Sequence, residues 1–151
     1  MGSDASATIC FGLPFNEDFV FPWDDGAEDW WIDVIHAYKP PFKLFDEQGR
    51  YIDGKTPPQK QIHEYYDHRQ AFQEKHPLPV AFVYSGSDES SIPILAVPSS
   101  VIKTSWDDPA EIGAHIFAPI NAEELQKYKE FCMVYLGIVA EPKWYLSAYY
   151  G

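Results

Sequence analysis

Between Ile9 and Tyr38 the chain reads ICFGLPFNEDFVFPWDDGAEDWWIDVIHAY, and this stretch constrains the fold more than any other. It carries eight of the 25 aromatic residues and seven carboxylates, with no Lys or Arg. Aromatic rings gain by burial, whereas ionised carboxylates without partners must stay in water. A segment that interleaves the two must bury one side and leave a wet, negative side. Pro14, Pro22 and Gly26 break it into short pieces.

The rest of the chain has to supply the core for that segment. At 151 residues it has the length of one domain, and such a domain buries roughly 70% of its unfolded surface without staples. An aromatic share of 17% argues against disorder, and thirteen prolines predict short elements joined by ordered loops. Residues 1–6 read as a flexible N-terminus and residues 7–151 as a single α+β domain.

Ile9, Phe11 and Leu13 alternate with Thr8, Cys10 and Gly12 in a strand over 7–13. Glu17 to Trp23 reads as a second extended piece held to an edge by Pro22. A helix is expected from Asp25, which with Glu28 makes an acidic capping box; Ala27, Trp30, Trp31, Val34, Ile35 and Tyr38 form its apolar stripe. Phe42 to Asp53 reads as a hairpin around DEQG. Thr56, Pro57 and Gln59 predict the start of a second helix running to Lys75, with Ile62, Tyr65, Tyr66, Arg69 and Phe72 on one stripe.

Strands follow at Pro79–Ser85, Ile92–Val97 and Val101–Trp106, with the polar GSDESS loop between the first two. Asp108 starts a short helix. Asn121 caps a third main helix to Leu136, Glu124 answers it as a capping box, and Gly137 ends it. Trp144 to Tyr150 alternates as a final strand. The expected architecture is α+β, a mixed or mostly antiparallel sheet packed by about three helices, because most strand connections are too short for helical crossovers.

CFG at Cys10–Gly12, FPW at Phe21–Trp23, DWW at Asp29–Trp31 and the ending EPKWYLSAYYG resemble small uncharacterised proteins carried by phages and prophages. The resemblance covers about a third of the chain, chiefly its two ends, and brings no activity with it. It implies an intracellular, phage or prophage origin.

A formal charge of −12 argues against direct nucleic-acid contact and against anionic membranes, and it makes basic proteins the charged partners to expect. No apolar run reaches the roughly 18 residues of a membrane span. The opening MGSDASAT lacks the basic and apolar regions of a signal peptide, so the expected location is cytoplasmic. Gly2 and Ser6 fit only the loose myristoylation pattern, with nothing basic after them.

Cys10 and Cys132 sit among apolar neighbours and read as core thiols, although a bridge between them stays open. His63 and His68, five apart on a helix, point about 140° apart and share no ligand; His36, His76 and His115 fall near element ends. Asp24, Asp25, Glu28 and Asp29 lack calcium-loop grammar. No metal, cofactor or catalytic residue is expected.

The candidate contact residues are Asp24, Asp25, Glu28, Asp29, Trp23, Tyr149 and Tyr150. They predict a non-catalytic acidic module that binds a basic host protein. The alternative is a small enzyme or ligand-binding protein with an aromatic, His-lined pocket, and a homodimer through the Trp144–Tyr150 edge is a third reading.

Overall fold

The computed structural model describes residues 5–87, 90–105, 108–111, 113–117 and 119–150. Gly2, part of the GSDESS loop and Trp106 lie outside the described residues, as does the His115 side chain. In chain order the elements are β1 (Ala5–Pro14), α1 (Ala27–Trp30), α2 (Gln59–Lys75), β2 (Ala81–Ser87), β3 (Ser91–Ala96), β4 (Ile102–Ser105), α3 (Ala122–Leu136) and β5 (Lys143–Tyr150). This is the expected α+β class with a mixed, mostly antiparallel sheet. The chain forms two compact units, Met1–Pro22 with Pro79–Gly151, and Trp23–Leu78.

The first unit holds the sheet, ordered β3-β2-β5-β1-β4, with an added β1–β3 pairing. β5 runs along one edge of β1 from Ala5 to Gly12. The other edge is shared: β4 takes Ser6–Ile9, and β3 takes Gly12–Pro14. β3 pairs with β2, and β2 meets β5 in parallel at Gly86–Tyr149 and Ser87–Tyr150, so four strands close on themselves. Cys10, Val83, Ile94 and Ala96 are buried together, with Val101 and Tyr145 packed against them. The closure depends on Gly12, where a Cβ would stand 2.0 Å from the Leu95 carbonyl oxygen.

α3 adds Tyr128, Phe131 and Cys132, all fully buried, and the Tyr128 hydroxyl donates to Leu95 O at 2.6 Å. Its ends are as expected. Asn121 accepts from the amides of Glu123 and Glu124, and Gly137 takes a left-handed turn with φ 69°. Glu124, however, does not complete a capping box; its carboxylate accepts from the amide and hydroxyl of Ser99.

Two other expectations in this unit fail. Glu17 to Trp23 forms no strand; the chain turns at Glu17–Asp18, where Phe15, Phe19 and Phe21 cluster with centroids 4.7–5.4 Å apart and pull it round. Asp108 starts no helix; it bridges to Ser105, and a 3-10 turn comes later, at Ala114–Phe117.

In the second unit α1 has four residues and runs into a π-helical turn, Trp31–Ile35, in which His36 N–H reaches back to Trp31 O. Asp25 caps nothing. Gly26 holds the cap position in an extended conformation, which moves the helix start one residue on and takes Asp25 out of reach of its amides. The wider turn also shifts the apolar face: Ile32 is buried and Val34 is 64% exposed.

α2 starts at Gln59, without a cap from Thr56. Pro58 disfavours helical backbone at Pro57, so the first turn begins beyond the proline pair. Ile62, Tyr65, Arg69 and Phe72 are half-buried and Tyr66 is exposed. The expected hairpin is reduced to one bridge, Phe45–Tyr51, closed by Asp46 Oδ1 accepting from the amides of Gln48 and Arg50.

Candidate functional site

The acidic candidates fall together in the second unit. Asp24 and Asp25 precede α1, Glu28 and Asp29 lie in it, and all four are exposed. Trp23 is half-buried, its ring 5.2 Å from that of Trp30.

Arg69 on α2 divides these carboxylates into two groups. Its guanidinium donates to Asp29 at 3.0 Å and to Asp33 at 2.7 Å, and it lies 5.3 Å from the Tyr38 ring centre. The hydrogen bond to Asp33 is the main cause that holds the Arg69 pKa above its ordinary value. Tyr38 in turn meets His68 Nδ1 at 3.0 Å, and burial pushes its phenol up. Asp29 is thus tied into the unit. The carboxylates of Asp24, Asp25 and Glu28 have no ion pair or hydrogen bond among the described residues.

Two histidines stack beside this site. The rings of His36 and His76 are 4.2 Å apart at 29°, Trp31 and Phe72 pack on them, and the Trp31 indole N–H donates to His76 O. His36 Nε2 is buried without a hydrogen-bond partner among the described residues. Burial, then the charge of His76, lowers the His36 pKa.

No protein-family model, curated protein or solved structure matches this chain.

Tyr149 and Tyr150 belong to the other unit, at the end of β5. Tyr150 is exposed, while Tyr149 lines a cavity of about 310 Å³ together with Ser6, Thr8, Val83, Val101 and Lys103. A second cavity, of about 260 Å³, lies against α3 and reaches Leu13, Tyr128 and Cys132. Among the described residues no histidine lines either of them. Among the described residues no group of three His, Cys, Asp or Glu could hold a metal ion, and no helix is long and apolar enough to cross a membrane.

Cys10 and Cys132 are buried and unbridged. Burial raises the Cys10 pKa and pushes Cys132 up to about 11, against the pull of a hydrogen bond from Tyr128. Sequence reasoning placed both thiols correctly, but it read Arg69 as one member of a buried stripe. The signal available was that no Lys or Arg precedes Lys39, so any cation that pairs with Asp29 or Asp33 has to come from later in the chain.

Proposed function

We propose that the chain is a non-catalytic, acidic protein-binding module that engages a basic partner through Asp24, Asp25 and Glu28, with Trp23 beside them. One observation carries this reading. Arg69 occupies Asp29 and Asp33, whereas the three neighbouring carboxylates are exposed and have no partner among the described residues. Unpaired surface charges of one sign keep their full field for an incoming partner and cost no ion pair to use. Tyr150, exposed on the other unit, is a separate contact candidate. The resemblance to phage and prophage proteins suggests a host protein in the cytoplasm as the partner.

The test is association with an oligolysine peptide, followed by stopped-flow fluorescence at low and high salt. Replacing Asp24 and Asp25 by Asn and Glu28 by Gln should slow association several-fold at low salt, with little effect near 0.5 M, where screening is nearly complete. The melting temperature should not move, since none of the three caps a helix or holds a cation. Asp29 is left intact because its loss would release Arg69. A control pair, Asp18→Asn with Glu111→Gln, removes exposed charge from the first unit and should change the rate much less. Equal slowing by patch and control, or a rate that ignores salt, would refute the patch.

A further inference from the structure

Part of the sheet is turned inside out. Directly opposed residues in an antiparallel ladder share a face, and Thr8, Cys10 and Ser147 share the inner face, all of them buried. The alternate positions face outward, where an antiparallel sheet ordinarily carries polar side chains. Here those positions are apolar. Ile102, Ile9 and Leu146 form one row across β4, β1 and β5, and Thr104, Ala7 and Ala148 form the next. Phe11 with Trp144 flanks the first row, and Ala5 with Tyr150 flanks the second. Leu146 is 77% exposed, Tyr150 is 61% exposed, and Ala148 is exposed as well. Phe117, also exposed, packs edge-on against Trp144 with ring centres 5.2 Å apart and extends the face at that end.

Charge avoids this face. The chain has 23 acidic residues, yet β1, β4 and β5 contain none. Their two lysines, Lys103 and Lys143, stand opposite Thr8 and Gly12 and so belong to the inner face. Two copies of a chain at −12 repel each other. A face free of carboxylates is where they can meet at least electrostatic cost, since no like charges are brought together there.

The face also matches itself. The row of Ile102, Ile9 and Leu146 is a ridge of branched side chains, and the row of Thr104, Ala7 and Ala148 is a hollow of small ones. A two-fold axis running between these rows sets the ridge of each copy over the hollow of the other, the self-complementarity that an isologous contact needs. The aromatic end at Trp144 then meets Tyr150 of the second copy. Twisted sheets diverge toward their ends, and large side chains fill the space there.

We propose that this outer face of β1, β4 and β5 docks a second copy of the chain, sheet on sheet. β5 lies inside the sheet, between β2 and β1, so it offers a face rather than an edge. The β1–β5 ladder runs from Ala5 to Gly12, a length of about 27 Å at about 3.4 Å per residue, and the three strands are about 4.8 Å apart. Two such patches bury about 1,000 Å² in total with their side chains, the lower limit for a specific interface. The dimer is therefore weak, with a Kd on the order of 10–100 μM. The proposal is independent of Asp24, Asp25 and Glu28, which lie in the other unit.

The test is sedimentation equilibrium of the full chain from about 5 to 500 μM, at low salt and at 0.5 M NaCl. A monomer–dimer equilibrium is expected, several-fold tighter at high salt because salt screens the repulsion between copies. Leu146→Glu should weaken the dimer at least about tenfold by placing a charge on the ridge. Ala148→Phe should weaken it as well, by filling the hollow, although it makes the face more apolar. Val139→Glu, at an 86% exposed apolar position outside these strands, should leave the dimer unchanged. All three positions are exposed, so the melting temperatures of dilute samples should not move. A monomer throughout at 0.5 M NaCl, or a dimer that salt loosens, would overturn the proposal. So would tighter association of Ala148→Phe, the mark of unspecific adhesion, or equal loss with Val139→Glu. A dimer untouched by both Leu146→Glu and Ala148→Phe would place the contact elsewhere.

Discussion

Cys132 shows how far residue chemistry here follows from neighbours. Phe131 and Met133 flank it in sequence, and apolar neighbours on a helix are enough to predict a buried thiol. Burial then disfavours the thiolate, and with a pKa near 11 only a small fraction of Cys132 is nucleophilic at neutral pH. Both cysteines should therefore react with a thiol reagent at pH 8 at least about a hundredfold more slowly in the native protein than in denaturant. Stoichiometric native labelling within the dead time at either position would show that its burial is wrong. What the neighbours of Cys132 do not reveal is the Tyr128 hydroxyl, which donates to Leu95 O across 33 residues of chain. Ser147 is a similar case: alternation groups it with Tyr145 and Tyr149, but that this face is the buried one, and that its Oγ has no hydrogen-bond partner among the described residues, emerges only once β1 and β5 are in register.

At the scale of elements, apolar periodicity served well where the helix is regular and poorly where it is not. Asn121 and Gly137 bracket α3 as read, because a strong cap and a left-handed glycine act locally. The Asp25 and Thr56 boxes failed for equally local reasons: extended backbone at Gly26 and a second proline at position 58. The π-helical turn is the larger lesson. Spacing of 3.6 residues put Val34 on the buried face, and the wider turn puts Ile32 there instead. Ile32→Ala should therefore cost about 2–5 kcal/mol in urea unfolding, as for other large apolar truncations in cores. Val34→Ala should stay within about 0.5 kcal/mol, the usual range for an exposed position. The opposite order would restore a regular helix through Trp31–Ile35.

For the whole molecule, the α+β class was legible because strand and helix patterns alternate along the chain with short connections. The strand order was not, since β1 shares one edge between β4 and β3. That sharing rests on distant contacts such as Phe11 N–H to Ser100 Oγ, 89 residues apart, and on a close approach that only Gly12 permits. The pH dependence of stability is a property of the same kind, because it needs the burial of His36, with His76 stacked against it, and neither can be read from the residue alone. Folding lowers the His36 pKa, so between its folded and unfolded values the unfolded chain binds the extra proton. Stability must then rise with pH across that window. The contribution is complete above the ordinary histidine value of about 6.5 and is lost as pH falls below it toward the folded value. Urea midpoints at pH 7.5, 6.5 and 5.5, followed by tryptophan fluorescence, should fall in that order, since Trp23, Trp30 and Trp31 report on the unit that contains the stack. His36→Phe keeps an aromatic ring against Trp31 and His76, removes the titrating group, and gives up no hydrogen bond at Nε2. Its midpoint should change much less over the same range. A wild-type midpoint that holds steady or rises toward pH 5.5, or a His36→Phe variant with the same decline, would mean that the stacked pair is not what makes this unit acid-sensitive.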